Sequence, residues 1–326
     1  MSSASTSALL YATTISASQV TGAVPEDAKE LAHHAKGGKG FLNPWESYNE
    51  MSVPVLLGKM IWRSLSGNAN RPNTTPPTVP IRKPQFLPSR DTPQLRTTWL
   101  GHACYLVEFP GGLRVLFDPV FEGRCGPMAM LGPKRYNDPP CKIEDIPAID
   151  IVVISHAHYD HLSHPTVTKI KQLHPNVHFF APLGNKKWFA DSGLHNATEL
   201  DWWQSRDVHL SPVEESKPQV VESGSQVKSA KDILATVECL PCLIPIGAYE
   251  PRFIMSPMHA NPFDSANIFV DTQCKRALGM HWGTWVLTEE DVLEPPRLLK
   301  KALSGKGIPE EGVFDVCDIG ESREFS

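Results

Sequence analysis

Seven residues, Ser155-His156-Ala157-His158-Tyr159-Asp160-His161, constrain this chain more than any other feature: they set four metal-ligand side chains directly behind an apolar run. That run, Asp150-Ile151-Val152-Val153-Ile154-Ser155, is β-branched throughout its middle, as strands buried on both faces are. In an extended segment His156 and His158 point to the same side, so both imidazoles can meet one cation. Asp160 and His161, at the turn that follows, can serve a second ion beside it. Imidazole with one carboxylate suits zinc best, with iron and manganese as the other candidates. Two such ions can bring the pKa of a shared water to about 7 and neutralise charge growing on a scissile carbonyl or phosphoryl oxygen. Hydrolysis is the expected chemistry. A lone histidine would more simply decorate a surface loop; four ligands at this spacing after a buried strand would not.

The surrounding pattern places this loop in an α/β domain. Thr97 to Val107 and Leu113 to Phe117 read as strands joined by a turn at Pro110-Gly111-Gly112. Pro165 to Leu173 reads as a helix with proline in its first turn, and Val177 to Ala181 followed by Asn185 to Ser192 as a second strand and helix. Ala277 to Met280 forms a further short strand ending at His281. Alternating strands and helices imply a site at strand ends. Upstream, residues 1–24 are Ser/Ala/Thr-rich and suit a disordered terminus, and residues 25–65 carry helical stretches (Pro25 to Lys36, Val53 to Ser64) around an aromatic segment, Gly40 to Trp45. Residues 66–96 hold seven prolines between Arg71 and Pro93 and read as an extended strap or linker, so the main domain is expected over 97–326. Pro212 to Lys231 is polar without periodicity, an expected exposed insertion.

Composition narrows the partners. With 326 residues, 41% apolar and 21% charged, the chain is that of a globular enzyme, and a net charge of -5 removes the electrostatic attraction that nucleic-acid binding usually needs. Seven scattered cysteines without a signal peptide fit reduced thiols and an intracellular compartment, cytoplasmic or mitochondrial. The longest apolar stretch, Val53 to Trp62, is too short to span a bilayer.

Three further histidines and one cysteine pair need weighing. His281, in His281-Trp282-Gly283-Thr284-Trp285, is either a capped structural residue or a ligand, and the ligand reading is favoured beside the HxHxDH loop. His102 in Leu100-Gly101-His102-Ala103 and His259 in Met258-His259-Ala260-Asn261 are open between structure and function. Cys239-Leu240-Pro241-Cys242 has redox-motif spacing but no second pair, and structural thiols are its default reading.

Several blocks carry a resemblance. Gly37 to Trp45, Thr98-Trp99-Leu100-Gly101-His102-Ala103, Gly132-Pro133-Lys134-Arg135-Tyr136, His156 to Leu162, Glu199-Leu200-Asp201-Trp202-Trp203, Ile244 to Arg252 and His281 to Thr284 run in order through the chain. Together they resemble the N-acyl-phosphatidylethanolamine-hydrolysing phospholipase D family of the metallo-β-lactamase superfamily. HxHxDH marks only the superfamily; Ile-Pro-Ile-Gly-Ala-Tyr-Glu-Pro-Arg and His-Trp-Gly-Thr mark the family. The resemblance implies an αβ/βα four-layer sandwich, two zinc ions, and cleavage of N-acylated phosphatidylethanolamine to phosphatidic acid and an N-acylethanolamine at a membrane surface, with a homodimer as a possible assembly. It implies that His156 and His158 bind the first zinc, and that Asp160, His161 and His281 bind the second. His259 matches a histidine near the reaction centre, which with Asp160 forms the implied catalytic pair, and Tyr159 would line the lipid site. One departure matters. After a strand like Val237 to Pro241, family members supply a further histidine, a tryptophan-containing strand pair and a Gly-Asp-Thr-Gly turn whose aspartate bridges both ions; here Cys242 runs straight into Leu243-Ile244-Pro245. The expectation is an incomplete sandwich holding nearer one tight zinc than two. Two other readings stand beside an active phosphodiesterase: a catalytically impaired chain that keeps metal or lipid binding, and a related metal-dependent lactonase or phosphodiesterase.

Overall fold

A computed structural model gives the structure of the chain and describes residues 11–18, 32–37, 40–44, 48, 51–87, 89–90, 92–128, 130–213, 233–238 and 243–325. At its centre is a seven-stranded sheet in the order β13-β2-β3-β4-β5-β6-β7. Strands β2 (Leu95–Gly101), β3 (Cys104–Glu108), β4 (Arg114–Phe117) and β13 (Ser322–Phe325) pair antiparallel, and β5 (Ile151–Val153), β6 (His178–Pro182) and β7 (Ala197–Leu200) continue the sheet in parallel. The apolar runs alternate across it. Leu106, Leu116, Val152 and Phe179 face one side, where they pack with Val167 and Ile170 of α2 (His164–Leu173) and Phe189 of α3 (Lys186–Asp191). Val115, Ile151 and Phe180 face the other side with Leu113.

On that other side lie two separate three-stranded sheets. In one, β8 (Ser205–Pro212) is flanked by β1 (Tyr11–Ala17) and β9 (Ile233–Glu238), all antiparallel, and buries Tyr11, Val208 and Leu210 against the main sheet. In the other, β10 (Leu243–Pro245), β11 (Ala277–Met280) and β12 (Phe314–Asp315) run parallel; Ile244, Leu278 and Phe314 join Trp99, Tyr105 and Val107 in one cluster. The same cluster takes in Ala266 and Phe269 of α5 (Pro262–Asp271) and Leu299, Ala302 and Leu303 of α6 (Glu294–Ser304). The architecture is therefore the αβ/βα sandwich, with its second sheet split. Strands β9 and β10 are consecutive in sequence, yet each has a partner on one side only among the described residues. Their open edges leave backbone donors and acceptors where further strands would pair. The split falls at the Cys242–Leu243 junction, where the resemblance puts missing strands; residues 239–242 themselves, with the cysteine pair, lie outside the described residues.

Several expectations change here. Within residues 1–24, expected to be disordered, Tyr11–Ala17 forms a strand on the β8 edge; residues 1–10 and 19–24 lie outside the described residues. An edge strand with open hydrogen-bonding groups recruits any β-prone segment within reach, and Tyr11-Ala12-Thr13-Thr14-Ile15 is one. Thr97 to Val107 is two strands rather than one: Gly101 and His102 adopt φ of 104° and 51° and reverse the chain. Over residues 32–37 the expected helix is replaced by a turn and a bridge from His34 to Phe41; residues 25–31 and most of 212–231 lie outside the described residues. Helix α1 (Val53–Leu65) matches its expected span, and α4 (Arg252–Met255) is one further short turn.

The proline-rich strap is fixed to the domain. Arg82 takes the Ile319 carbonyl at 2.7 Å, and Gly320 lies so close that an added Cβ would stand 1.9 Å from the Arg82 carbonyl oxygen. Arg96 donates to the Gln85 carbonyl, and Arg114 to those of Leu87 and Ser89. Both guanidiniums are buried and meet one buried carboxylate, Glu108, at 2.7 and 3.1 Å. Removing that carboxylate strands two buried cations. Glu108→Ala is therefore expected to cost about 3–5 kcal/mol of stability, and a urea melt showing less than about 1 kcal/mol would mean the arginines are already satisfied by the strap carbonyls alone.

Candidate metal centre

The loop after β5 and the ends of β2, β4 and β11 converge. His102 Nε2 lies 2.9 Å from Asp160 Oδ2, His161 Nε2 3.3 Å and His281 Nε2 3.4 Å from the same oxygen. These four residues form the larger of two groups of potential metal ligands among the described residues. The separations sort them. Two ligands on one tetrahedral zinc at about 2.0–2.1 Å stand roughly 3.3 Å apart, which is the spacing of His161 and His281 from Asp160; His102 is at hydrogen-bond length. His161 Nε2 is buried without a hydrogen-bond partner, and the opposite nitrogen of His281 also lacks one. A buried imidazole nitrogen left unpaired in a polar cluster fits a divalent ion.

Asp118, which the sequence reading did not single out, orients the loop from below. It ends β4 at a φ of 39°, is 4% exposed, and accepts from Ser155 N at 2.7 Å, Ser155 Oγ at 2.6 Å and His161 Nδ1 at 2.7 Å. Fixing Nδ1–H of His161 on a carboxylate leaves Nε2 as the free donor to a metal. The cradle is closed by Arg135, whose guanidinium donates to the carbonyls of Val120 and Glu122 and lies 4.5 Å over the Trp285 ring; that ring meets His102 edge-on at 4.9 Å. His281 itself sits at φ 66°, with its N–H on the His102 carbonyl at 3.0 Å. His102, Asp118 and His281 are three of six non-glycine residues in the left-handed region among those described, a concentration that marks a site whose backbone is held by its surroundings.

Electrostatics follow from this burial. Asp160 is desolvated, yet the hydrogen bond from His102 and the close imidazoles of His161 and His281 hold its carboxyl far below the usual range. Burial would lower His161, but Asp118 and Asp160 outweigh it and raise it to about 9 in the metal-free chain. Burial, then the neighbouring His161 and His158, push His156 down to about 3.

The other expected site residues are nearby but arranged differently. His156 Nε2 lies 3.1 Å from His158 Nδ1, and neither belongs to a group of three or more ligand atoms among the described residues. His259 packs its ring 5.2 Å from that of His281, its backbone carbonyl held by Arg252, and burial lowers it to about 4. Tyr159 is 54% exposed on the loop. The Ile244 to Arg252 block is shaped by Glu290, which accepts the backbone N–H groups of Ala248 and Glu250 at 2.6 and 3.0 Å.

Comparison with known proteins accords with this geometry. A model of the beta-lactamase superfamily domain matches residues 113–231. An N-acyl-phosphatidylethanolamine-hydrolyzing phospholipase D 1 of Caenorhabditis elegans is 30% identical over 345 positions, covering 91% of this chain and 96% of that protein. A mitochondrial protein of the same name from Saccharomyces cerevisiae is 29% identical over 68% of this chain and 56% of its own length. A possible metal-dependent hydrolase from Veillonella parvula superposes with a TM-score of 0.47 at 13% identity, over 71% of this chain and all of that one, a likeness too low to add to these conclusions. Fold and site define a metal-dependent hydrolase of the metallo-β-lactamase superfamily. Within it, the chain belongs to the N-acyl-phosphatidylethanolamine-hydrolysing phospholipase D family. The 345 aligned positions exceed the 326 residues here, so the worm protein carries residues that have no counterpart in this chain.

Proposed function

We propose that this chain is a zinc-dependent phosphodiesterase that hydrolyses N-acyl-phosphatidylethanolamine to an N-acylethanolamine and phosphatidic acid at a membrane surface. The observation that carries the metal chemistry is the convergence of His161 and His281 on Asp160 at ligand spacing. Asp160, His161 and His281 would hold the ion, three protein ligands with an open position as in catalytic sites. Bound there, zinc supplies Lewis acidity toward a phosphoryl oxygen and acidifies water. Around it, Asp118 keeps His161 in the ligating tautomer, His102 holds Asp160 by a hydrogen bond, and His259, kept neutral by burial, lies beside His281 where it can take or give a proton on the substrate side.

The lipid side of the reading rests on α1. Val55, Leu57, Met60, Ile61, Trp62 and Leu65 are all about half exposed or more on this one helix, up to 81% at Leu65. The helix is tethered by Arg63, which pairs with Glu289 at 2.5 Å and lies over the Phe253 ring. A helix whose apolar side chains stand exposed around more than half of its circumference, with Lys59 among them, fits a phospholipid surface. No helix among the described residues is long and apolar enough to cross a membrane. The association is peripheral, on cytoplasmic or mitochondrial membranes. Replacing both Ile61 and Trp62 with serine should weaken binding to vesicles containing N-acyl-phosphatidylethanolamine at least about tenfold, since each side chain contributes about 1.5–3 kcal/mol when buried. Unchanged sedimentation with vesicles would remove α1 from the lipid contact.

A second reading, of an impaired enzyme that retains metal and lipid binding, is favoured by the split second sheet and by the His156–His158 pair, which has no third ligand among the described residues. Turnover on N-acyl-phosphatidylethanolamine, measured with metal content, separates the two: measurable release of N-acylethanolamine that vanishes on chelation supports the enzyme, and none at full metal loading supports the impaired chain.

A further inference from the structure

The second group of potential ligands lies outside the hydrolytic centre. His33 Nε2 stands 2.7 Å from Asp201 Oδ1 and His34 Nε2 2.8 Å from Asp201 Oδ2, and all three residues offer ligand atoms within 4.8 Å of one another. Asp201 follows β7, at the carboxyl edge of the parallel strands. Its carboxylate is positioned from two directions: Oδ1 accepts the Trp202 N–H at 2.9 Å, and its own N–H is taken by Gln204 Oε1 at 3.2 Å. The His33 ring is buried and clamped between aromatic planes, Trp202 at 4.2 Å and 15° and Phe41 at 6.5 Å and 12°. The His34 side chain is 30% exposed, which leaves the group open to solvent on one side.

Two features separate this group from an ordinary histidine–carboxylate pin. A pin needs one imidazole, whereas here two are spent on one carboxylate. They are also adjacent in sequence, and adjacent side chains of an extended chain point apart; the local backbone instead brings their rings within 4.5 Å and turns both onto Asp201. We infer that His33, His34 and Asp201 form a second divalent-cation site, of the zinc class, that fastens the segment before α1 to the end of β7. Two imidazoles, one carboxylate and a solvent-open fourth position make up a donor set that selects zinc, nickel or copper over magnesium and calcium. The present separations are those of proton-bridged contacts, about half an ångström under the roughly 3.3 Å spacing of ligands on one zinc. An ion that replaces the two bridging protons would move the partly exposed His34 and the Asp201 carboxylate out by that amount, while the buried His33 ring keeps its stacking on Trp202. Bound metal would then tie the turn closed by the His34–Phe41 bridge to the end of β7.

The test uses the full chain, stripped by chelator and reloaded with zinc. His34→Ala is expected to hold about one equivalent less metal than the wild type, while a chain with Asp160→Asn and His281→Ala keeps the equivalent that His34→Ala loses. Equal zinc content in His34→Ala and wild type overturns the site and leaves a proton-bridged pin. Should His34→Ala fail to fold, cobalt titration of the wild type decides the matter, because a paramagnetic ion beside His33 quenches the stacked Trp202. Quenching that is smaller in Trp202→Phe than in wild type, and retained when Asp160 and His281 are replaced, supports the site; identical quenching in wild type and Trp202→Phe overturns it. Neither readout depends on turnover, so failure here leaves the proposed lipid hydrolysis untouched.

Discussion

Asp160→Ala should abolish tight metal binding and reduce phosphodiester hydrolysis by at least about a hundredfold, the usual consequence of losing one well-placed electrostatic contact to the reacting group. All three histidines of the cluster converge on Oδ2 of this residue, at 2.9, 3.3 and 3.4 Å. Without the carboxylate, three imidazoles are left facing one another with no negative charge between them, and an ion has two ligands rather than three. His102→Ala removes only the hydrogen bond that steadies Asp160, so its effect should be smaller, about ten- to a hundredfold in metal affinity. Asp118→Asn belongs with it, because an amide can no longer fix Nδ1–H of His161. Metal content and rate measured on the three variants give the ranking. If Asp160→Ala kept full rate while His102→Ala lost it, the ligand assignment would have to be rebuilt around His102.

The second large effect is a gain. Inserting between Cys242 and Leu243 the segment that the family resemblance implies, with a histidine, a strand pair and an aspartate, should raise bound metal from about one to about two equivalents and turnover by about a hundred- to a thousandfold. The structural ground is the split second sheet. Among the described residues, strands β9 and β10 end their sheets with one edge open each, and a strand pair between them would close both edges and satisfy their backbone groups. The chemical ground is charge. Two dications a few ångströms apart repel strongly, and a carboxylate shared between them offsets that repulsion. His156 and His158 would gain the third ligand they lack among the described residues. Thermal melting, metal stoichiometry and turnover of the two chains provide the comparison; equal values in all three would show that residues of the present chain, such as His259, already fill the vacant positions.

The sequence by itself determined the class of this protein. Ile151 to Ser155 followed by HxHxDH specifies a buried strand opening into a metal loop, because the pattern is local: strand, turn and ligands lie within a dozen residues and need no distant partner to be recognised. The same locality made α1, α2, β5, β6 and β11 legible, each by a short apolar run with its own turn or proline signal. What the tertiary structure decided is whatever depends on residues far apart in the chain. That His102 belongs with Asp160 follows from a reversal at Gly101–His102 that a run of β-formers conceals. Asp118 gave no sequence signal beyond being an aspartate at a strand end; only the parallel pairing of β4 with β5 brings it under His161. The N-terminal strand needs the β8 edge as well as its own β-prone residues, and the joining of His33 and His34 to Asp201 spans more than 160 residues. Hydrophobic pattern and turn chemistry are short-range quantities, whereas sheet edges, buried carboxylates and converging imidazoles exist only once the layers are stacked.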